Sequence, residues 1–277
     1  MIKRMRPLLG TFVEVGVEEV GIGAAGSLNE AQLHSAINNA FAALEQIQNL
    51  LSFHHPHSDL SRLNQAPGQW IALHPLSIRC LKLARALTRI SDGKFNCTLG
   101  KAIVDKGALP APDYLKARTD WLAIGNWHNI EISQAHARLT QPVLITLDGI
   151  AKGFAVDQAI GQLQAAGVAS AWVNAGGDIR VYGASIIPIS IRDHQGQDHA
   201  MGGLQNAAIA TSTSQYSTEH PGILLDAHAQ DTPIATWSVI AKTAARADGL
   251  TKVAANVPHQ CRQDYIRRFS GNWIAID

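Results

Sequence analysis

Lys152 is the residue of this 277-residue chain whose placement most needs a chemical reason. It opens a helical stretch, where the positive end of the backbone dipole disfavours a cation by some tenths of a kcal/mol. Gly149 and Gly153 flank it, and a glycine inside a helix costs roughly 1 kcal/mol against alanine. A sequence that accepts both costs has an anion to meet. Glycine lets a ligand approach the backbone, the N–H groups of the helix start donate, and the lysine adds charge. A second such corner follows at Asn174-Ala175-Gly176-Gly177-Asp178. Double glycine suits a primed hairpin turn, and the same missing side chain admits a ligand. Plainer readings stay open. Asp148 and Lys152 are four apart, the spacing of a surface pair worth roughly 0.3–0.5 kcal/mol, and Gly149 is an ordinary turn residue. The second glycine corner weighs toward the anion.

Other residues carry weaker signals. Gly21-Ile22-Gly23-Ala24-Ala25-Gly26 spells G-x-G-x-x-G between a strand and a helix. The long helix behind it enters a polar loop instead of a second strand, so the dinucleotide unit is incomplete. A nicotinamide-dependent oxidoreductase would rest on this motif alone. His54-His55-Pro56-His57 packs three imidazoles into four residues. Such neighbours seldom point at one ion, and no cysteine or acid cluster joins them. Asp59 with Ser61-Arg62-Leu63-Asn64 reads as an Asx-type turn into a short helix. Asp157 is read either as part of the site or as a solvent-facing acid, and Asp248 as a helix acid that is either exposed or a ligand.

The elements that must position these groups follow from periodicity. A β-rich apolar run, Val143 to Leu147, leads into the Asp148-Gly149 turn, and a helix carries on from Lys152. Thr11 to Val20 reads as a strand. Ser27-Leu28-Asn29-Glu30 is a capping-box pattern, and Leu33, Ile37, Ala40, Leu44, Ile47 and Leu51 form the apolar face of a long helix. His74 to Ile90 predicts a second helix with Leu76, Cys80, Leu83, Ala84 and Leu87 on one side. Residues Trp121 to Leu147 read as short strands with turns at Gly125-Asn126 and Gln134-Ala135, and Val181 to Ile191 as a strand. Val239 to Val257 reads as a helix and Tyr265 to Asp277 as a last strand. Strands and helices mix without strict alternation, which predicts an α+β fold with largely antiparallel sheets and packed helices. A single domain over 1–277 is expected, with substructures of about 1–110 and 111–277.

Composition bounds the function. With 46% hydrophobic residues the chain can bury a substantial core, and a net charge of +1 favours neither nucleic acid nor an anionic membrane as partner. Cys80, Cys97 and Cys261 form no C-x-x-C pair, and an odd count leaves no complete disulfide framework, which points to a reducing compartment. No run of about 18 apolar residues predicts a membrane span.

Taken in order, these blocks resemble the ApbE-type FAD:protein FMN transferases. Leu147-Asp148-Gly149-Ile150-Ala151-Lys152-Gly153-Phe154 and Val173-Asn174-Ala175-Gly176-Gly177-Asp178 are similar to that family's core signature. Leu9-Gly10-Thr11-Phe12 resembles its M-G-T strand, and Ser58-Asp59-Leu60-Ser61-Arg62-Leu63-Asn64 its S-x-L-S-R-L-N segment. Asp92-Gly93-Lys94-Phe95-Asn96-Cys97-Thr98 resembles D-G-x-F-D-x-T, Thr211-Ser212-Thr213 its T-S-G strand end, and Ala247-Asp248-Gly249-Leu250 the start of A-D-A-L-A-T. The resemblance implies Mg²⁺-dependent transfer of FMN from FAD to a serine or threonine of a partner flavoprotein, within a D-G-x-[ST]-G-A-[ST] type target, with AMP released. It implies an FAD cleft between the substructures, lined by residues 9–12, 58–64, 148–153 and 174–178. Contacts are then expected from Gly10, Thr11, Ser58, Asp59, Asn64, Asp148, Gly149, Ala151, Lys152, Gly153, Asn174, Gly176, Gly177, Asp178, Thr211 and Ser212. The Ala151 carbonyl, Asp248 and Thr251 would hold the metal, as oxygen ligands suit Mg²⁺. Exported members carry a leader and a lipobox cysteine, neither of which is seen here, so a cytoplasmic place is expected.

The departures fall on the transfer chemistry. Lys252 stands at the family's second side-chain metal ligand, a threonine, with Thr251 one residue early. Its ammonium could stand in for the metal's charge. Ile223-Leu224-Leu225-Asp226-Ala227-His228 is the best match to H-I-I-D-P-R-T-G and puts isoleucine at the histidine. Asp226 is left as the acid/base group, with His228 or His220 as substitutes for the histidine. The alternative reading is an FAD-binding carrier or accessory protein without transfer.

Overall fold

The computed structural model describes residues 1–18, 28–214 and 224–276. The G-x-G-x-x-G stretch, Ser27, His220 and Ile223 lie outside the described residues. A seven-stranded sheet forms the centre, in the order β1-β2-β6-β7-β10-β11-β12. Its strands are β1 (Ile2–Leu8), β2 (Thr11–Val17), β6 (Ala171–Ala175), β7 (Asp178–Tyr182), β10 (Ala208–Ser214), β11 (Ala235–Ala241) and β12 (Gly271–Ile274). Every named pairing is antiparallel. A three-stranded sheet joins β3 (Ile71–Ala72), β5 (His136–Leu139) and β4 (Ile130–Ser133), and β8 (Ile187–Arg192) pairs with β9 (Asp198–Leu204). Helices α1 (Glu30–Leu51), α2 (Asp59–Gln65), α3 (Pro75–Ile90), α4 (Gly100–Asp105), α5 (Ala151–Ala165), α6 (Ala244–Ala255) and α7 (His259–Arg267) complete the α+β fold. No helix among the described residues is long and apolar enough to cross a membrane.

Helix α1 follows the predicted stripe, with Leu33, Ile37, Ala40, Leu44, Ile47 and Leu51 all buried. Its cap is Asn29, not Ser27: the Asn29 side chain accepts from the Gln32 amide while Gln32 returns to the Asn29 N–H. In α3 the buried face is Ile78, Cys80, Leu81 and Ala84, whereas Leu83 is 46% exposed. Helix α1 packs on α5, and α5 on α6. Those contacts place the start of α5 and the body of α6 beside the sheet's inner strands.

Four spans differ from expectation. Val143–Leu147 is buried but joins none of the sheets, its one β-bridge running from Val143 to Leu122. An isolated chain segment must still satisfy its amides. Here the Asn64 side chain both donates to the Ile145 carbonyl (2.8 Å) and accepts from its N–H (2.9 Å), and Thr146 donates to the Cys97 carbonyl. Residues from Val239 divide between the end of β11 and α6, which starts at Ala244 behind the Thr243 cap. The C-terminal stretch is α7 and then β12, so Tyr265 is helical. The predicted strand Val181–Ile191 is likewise the end of β7 and most of β8, in different sheets.

Two hairpin turns meet at one end of the central sheet. Leu9-Gly10 joins β1 to β2 and Gly176-Gly177 joins β6 to β7, each with positive φ at both residues. That is the geometry of the I′ turn, whose twist matches the strands it connects. Since β2 pairs with β6, the turns lie side by side, and a Cβ at Gly176 would stand 2.5 Å from the Thr11 hydroxyl.

Candidate active site

Lys152 leaves the first turn of α5 at the junction of two openings in the surface. One, of about 440 Å³, is lined by Phe95, Asn96, Thr146, Thr211, Ser212, Thr213 and Lys252 among others. The other, of about 530 Å³, is lined by Leu9, Gly10, Gln48, Phe53, His54 and Ala151. Asp148 and Lys152 line both. The corner after Leu147 therefore faces open chambers, each within the size range of a ligand site.

Beneath the junction lies a cluster of charges. Lys152 Nζ is 3.6 Å from Asp178 Oδ2, and Lys252 Nζ is 2.5 Å from Asp248 Oδ1. Both aspartates are buried while both lysines keep part of their surface. Burial works against the charged form of Lys152, but Asp178 and Asp248 outweigh it and move its pKa above the ordinary value. It remains an ammonium. Burial pushes the Asp178 carboxyl up to about 7, the nearby Asp248 pushes the same way, and the two lysines oppose. Asp178 Oδ2 has no hydrogen-bond partner despite being buried.

This sets a pH dependence of stability. From roughly pH 4 to pH 7 the folded chain holds a proton on Asp178 that the unfolded chain has released, so stability falls as pH rises through that window. Asp178→Asn is expected to flatten the fall, by a few kcal/mol at most, between pH 5 and pH 8. Urea unfolding of both proteins at the two pH values measures it; parallel slopes would remove Asp178 as the cause.

The helix start is less open to a ligand than the sequence suggests. The Ile150 and Ala151 amides donate to the Leu147 carbonyl, and the Gly153 N–H donates to Asp248 Oδ2 at 3.1 Å. The ligand-facing charge comes mainly from side chains. Asp157 does not face solvent as one reading had it. Its carboxylate accepts from the Ala244 and Ala245 amides at 2.9 Å each and from Arg180 at 2.7 Å, so α5 caps α6. Asp157→Asn would set an amide N–H against a backbone N–H, and a loss of about 1–3 kcal/mol is expected in urea unfolding.

The remaining expected residues divide. Gly10, Asp148, Gly149, Ala151, Lys152, Thr211 and Ser212 line the two chambers. Asn174 accepts from the Gly177 N–H and, with Gly176, shapes the turn that touches Thr11. Ser58, Asp59 and Asn64 are not in either lining. Ser58 caps α2, Asp59 accepts from the His74 N–H and the Ser77 hydroxyl, and Asn64 holds the Val143–Leu147 run. Asp226 turns its Oδ1 into its own loop, accepting from the His228 and Gln230 amides at 2.8 Å, and His228 is exposed. Neither lines the chambers, although their neighbours Leu224 and Leu225 do. Sequence reasoning missed Phe95, Thr213, Gln48 and Asn256 as lining residues. Leu9, within the expected 9–12 lining, takes φ 56° and donates its N–H to Gln48.

The expected Mg²⁺ ligands do not fit that ion. Asp248 spends Oδ1 on Lys252 and Oδ2 on Gly153. The Thr251 hydroxyl donates to the Asp248 carbonyl and contacts the Ser212 hydroxyl, each at 2.7 Å. Mg²⁺ needs free oxygen donors in near-octahedral array, and an ammonium already holds the carboxylate. Among the described residues no cluster of three His, Cys, Asp or Glu side chains could bind a metal.

The molecule is thus an antiparallel α+β fold with Lys152 at the junction of two chambers and Lys252 in the wall of one of them. The same fold is seen in two solved structures, too distant in sequence to speak for more than the fold. The Pseudomonas stutzeri flavinyl transferase ApbE, apo form, superposes with TM-score 0.78 at 22% identity, over 100% of this chain and 91% of that one. The Thermotoga maritima ApbE protein gives 0.80 at 19% identity, over 98% and 93%. The chain belongs to the ApbE family, whose model matches residues 9–276. It is 32% identical over 172 residues to the FAD:protein FMN transferase of Treponema pallidum. That match takes in 55% of this chain and 46% of the relative, so the chain spans about half the length of the curated relative it matches.

Proposed function

We propose that this protein binds FAD and transfers its FMN half to a serine or threonine hydroxyl of a partner flavoprotein, releasing AMP. The observation that carries the reading is Lys152, an ammonium at the junction of two chambers in a chain matched by the ApbE model over residues 9–276. A dinucleotide laid across the junction would set its pyrophosphate over Lys152, with one half in each chamber. Thr211, Ser212 and Thr213 line one chamber and Gly10 with Gln48 the other.

In the reaction the acceptor oxygen bonds the FMN-side phosphorus as the bond to the bridging oxygen breaks. AMP departs with that electron pair, and the hydroxyl proton must be taken up. Positioning and charge neutralisation carry most of such a step. Lys152 faces the developing charge on the bridge. Asp148 is the carboxylate that lines both chambers and accepts from the Thr146 hydroxyl at 2.8 Å; it is better placed to receive the proton than Asp226 or His228. The cluster of buried side chains running from Val13 to Ile266 supports one flavin-transferase domain over 1–277. The free cysteines Cys80, Cys97 and Cys261 suit the reducing cytoplasm as its place of action.

Incubation with FAD and an acceptor carrying a D-G-x-[ST]-G-A-[ST] segment, with and without Mg²⁺, tests the proposal. Covalent flavin on the acceptor and stoichiometric AMP are expected. FAD bound but left intact under both conditions would make the protein a flavin carrier.

A further inference from the structure

We infer that Lys252 is a built-in counter-cation of the ligand site, so that FAD is held without a divalent metal. The inference rests on FAD being the ligand and adds how its charge is met. Four observations converge. Lys252 Nζ occupies Oδ1 of the buried Asp248 at 2.5 Å. Its stem lies over the glycine corner, with Cε 3.4 Å from where a Cβ on Gly149 would stand. Its side chain lines the same chamber as Lys152, 20% exposed, so the ammonium is reachable from that opening. Two of the other oxygen donors expected for a metal at Asp248, the second carboxylate oxygen and the Thr251 hydroxyl, are committed to protein partners.

The contact itself argues against a metal on this carboxylate. Lys252 Nζ rests on Asp248 Oδ1, so a divalent cation sharing that oxygen would sit against an ammonium, a strong repulsion where water is scarce. An ammonium is a compact point charge with three donors and binds phosphate oxygens directly. Lys252 lies one helical turn beyond Asp248 on α6, so the carboxylate fixes the ammonium at the chamber wall before any ligand arrives.

FAD titrations monitored by flavin fluorescence, in EDTA and in excess MgCl₂, decide the matter. Dissociation constants within about threefold of each other are expected, with no Mg²⁺ retained in the FAD complex by elemental analysis. Binding tightened roughly tenfold or more by Mg²⁺, with about one metal per chain, would overturn the inference and leave FAD as the ligand. No binding in either buffer would overturn the FAD reading and the inference together. Lys252→Thr frees Asp248 and supplies a hydroxyl, and is expected to weaken FAD about tenfold or more in EDTA and to regain affinity with Mg²⁺. A Lys252→Thr protein that binds FAD in EDTA as tightly as the wild type would overturn the role of Lys252. The wild-type titrations stand alone if the variant does not fold.

Discussion

Lys152→Ala is expected to raise the Kd for FAD by about 10- to 100-fold, equivalent to roughly 1.4–2.8 kcal/mol, the range of one hydrogen-bonded charge contact in a partly desolvated site. Lys152 lines both chambers, so its removal is felt wherever the ligand's anionic bridge rests between them. Lys252 remains in the first chamber and prevents complete loss. The variant should still fold. Removing one partner of a buried pair costs about 3–5 kcal/mol when the other charge stays bare. Asp178 escapes that state, because its carboxyl is already up at about 7; without Lys152 it rises further and takes a proton at neutral pH. The change in stability is then small beside the change in affinity. Fluorescence titration paired with a thermal melt of the same sample checks both. Unchanged affinity would take Lys152 out of the ligand site, and a collapse of the melt would recast it as a structural ion pair.

Residues that break local rules were the legible ones. A lysine at a helix start and two positive-φ glycines in one turn conflict with propensity; Lys152 lies at the chambers, and the Gly176-Gly177 turn packs against Thr11. Ser58, Asp59 and Asn64 were equally visible as polar residues in an apolar setting, but single-sequence reasoning has no way to say what a buried polar group bonds. Their partners are the α2 amides, the head of α3 and the Ile145 peptide group, up to 81 positions away. The Val143–Leu147 run looks like a strand because apolar and β-branched residues fill it. Its peptide groups are met instead by the Asn64 amide at Ile145 and by the backbone of Cys97 and Gly100. The start of α6 was hidden because alanine-rich β11 and α6 follow each other closely, and short all-apolar runs do not distinguish periods of 2 and 3.6. Lys252 could be seen as a departure from the family pattern, whereas its grip on Asp248 needed the helix geometry.

Gly153→Ala is expected to lower stability by roughly 3–5 kcal/mol and the melting temperature by about 10 °C. The sequence offered Gly153 as a point where a ligand approaches the backbone; the packing gives it another reason. A Cβ there would stand 2.3 Å from the Ala244 carbonyl oxygen and 2.8 Å from the Ala245 nitrogen. These are backbone atoms of the α6 head, which cannot rotate aside. Overpacking alone costs about 1–3 kcal/mol. Separating α5 from α6 also stretches the Gly153–Asp248 bond and the two Asp157 bonds to the α6 amides, each worth about 1 kcal/mol. FAD affinity should fall with stability, because the same displacement moves Lys152 away from Asp178 and the α6 residues Asp248 and Lys252 away from the glycine corner. The two reasons for the glycine part in a single pair of measurements. A ligand-approach role loses FAD binding at an unchanged melting temperature, while close helix contact lowers the melting temperature before any ligand is added. The latter is expected, since the added methyl would meet α6, not the chamber.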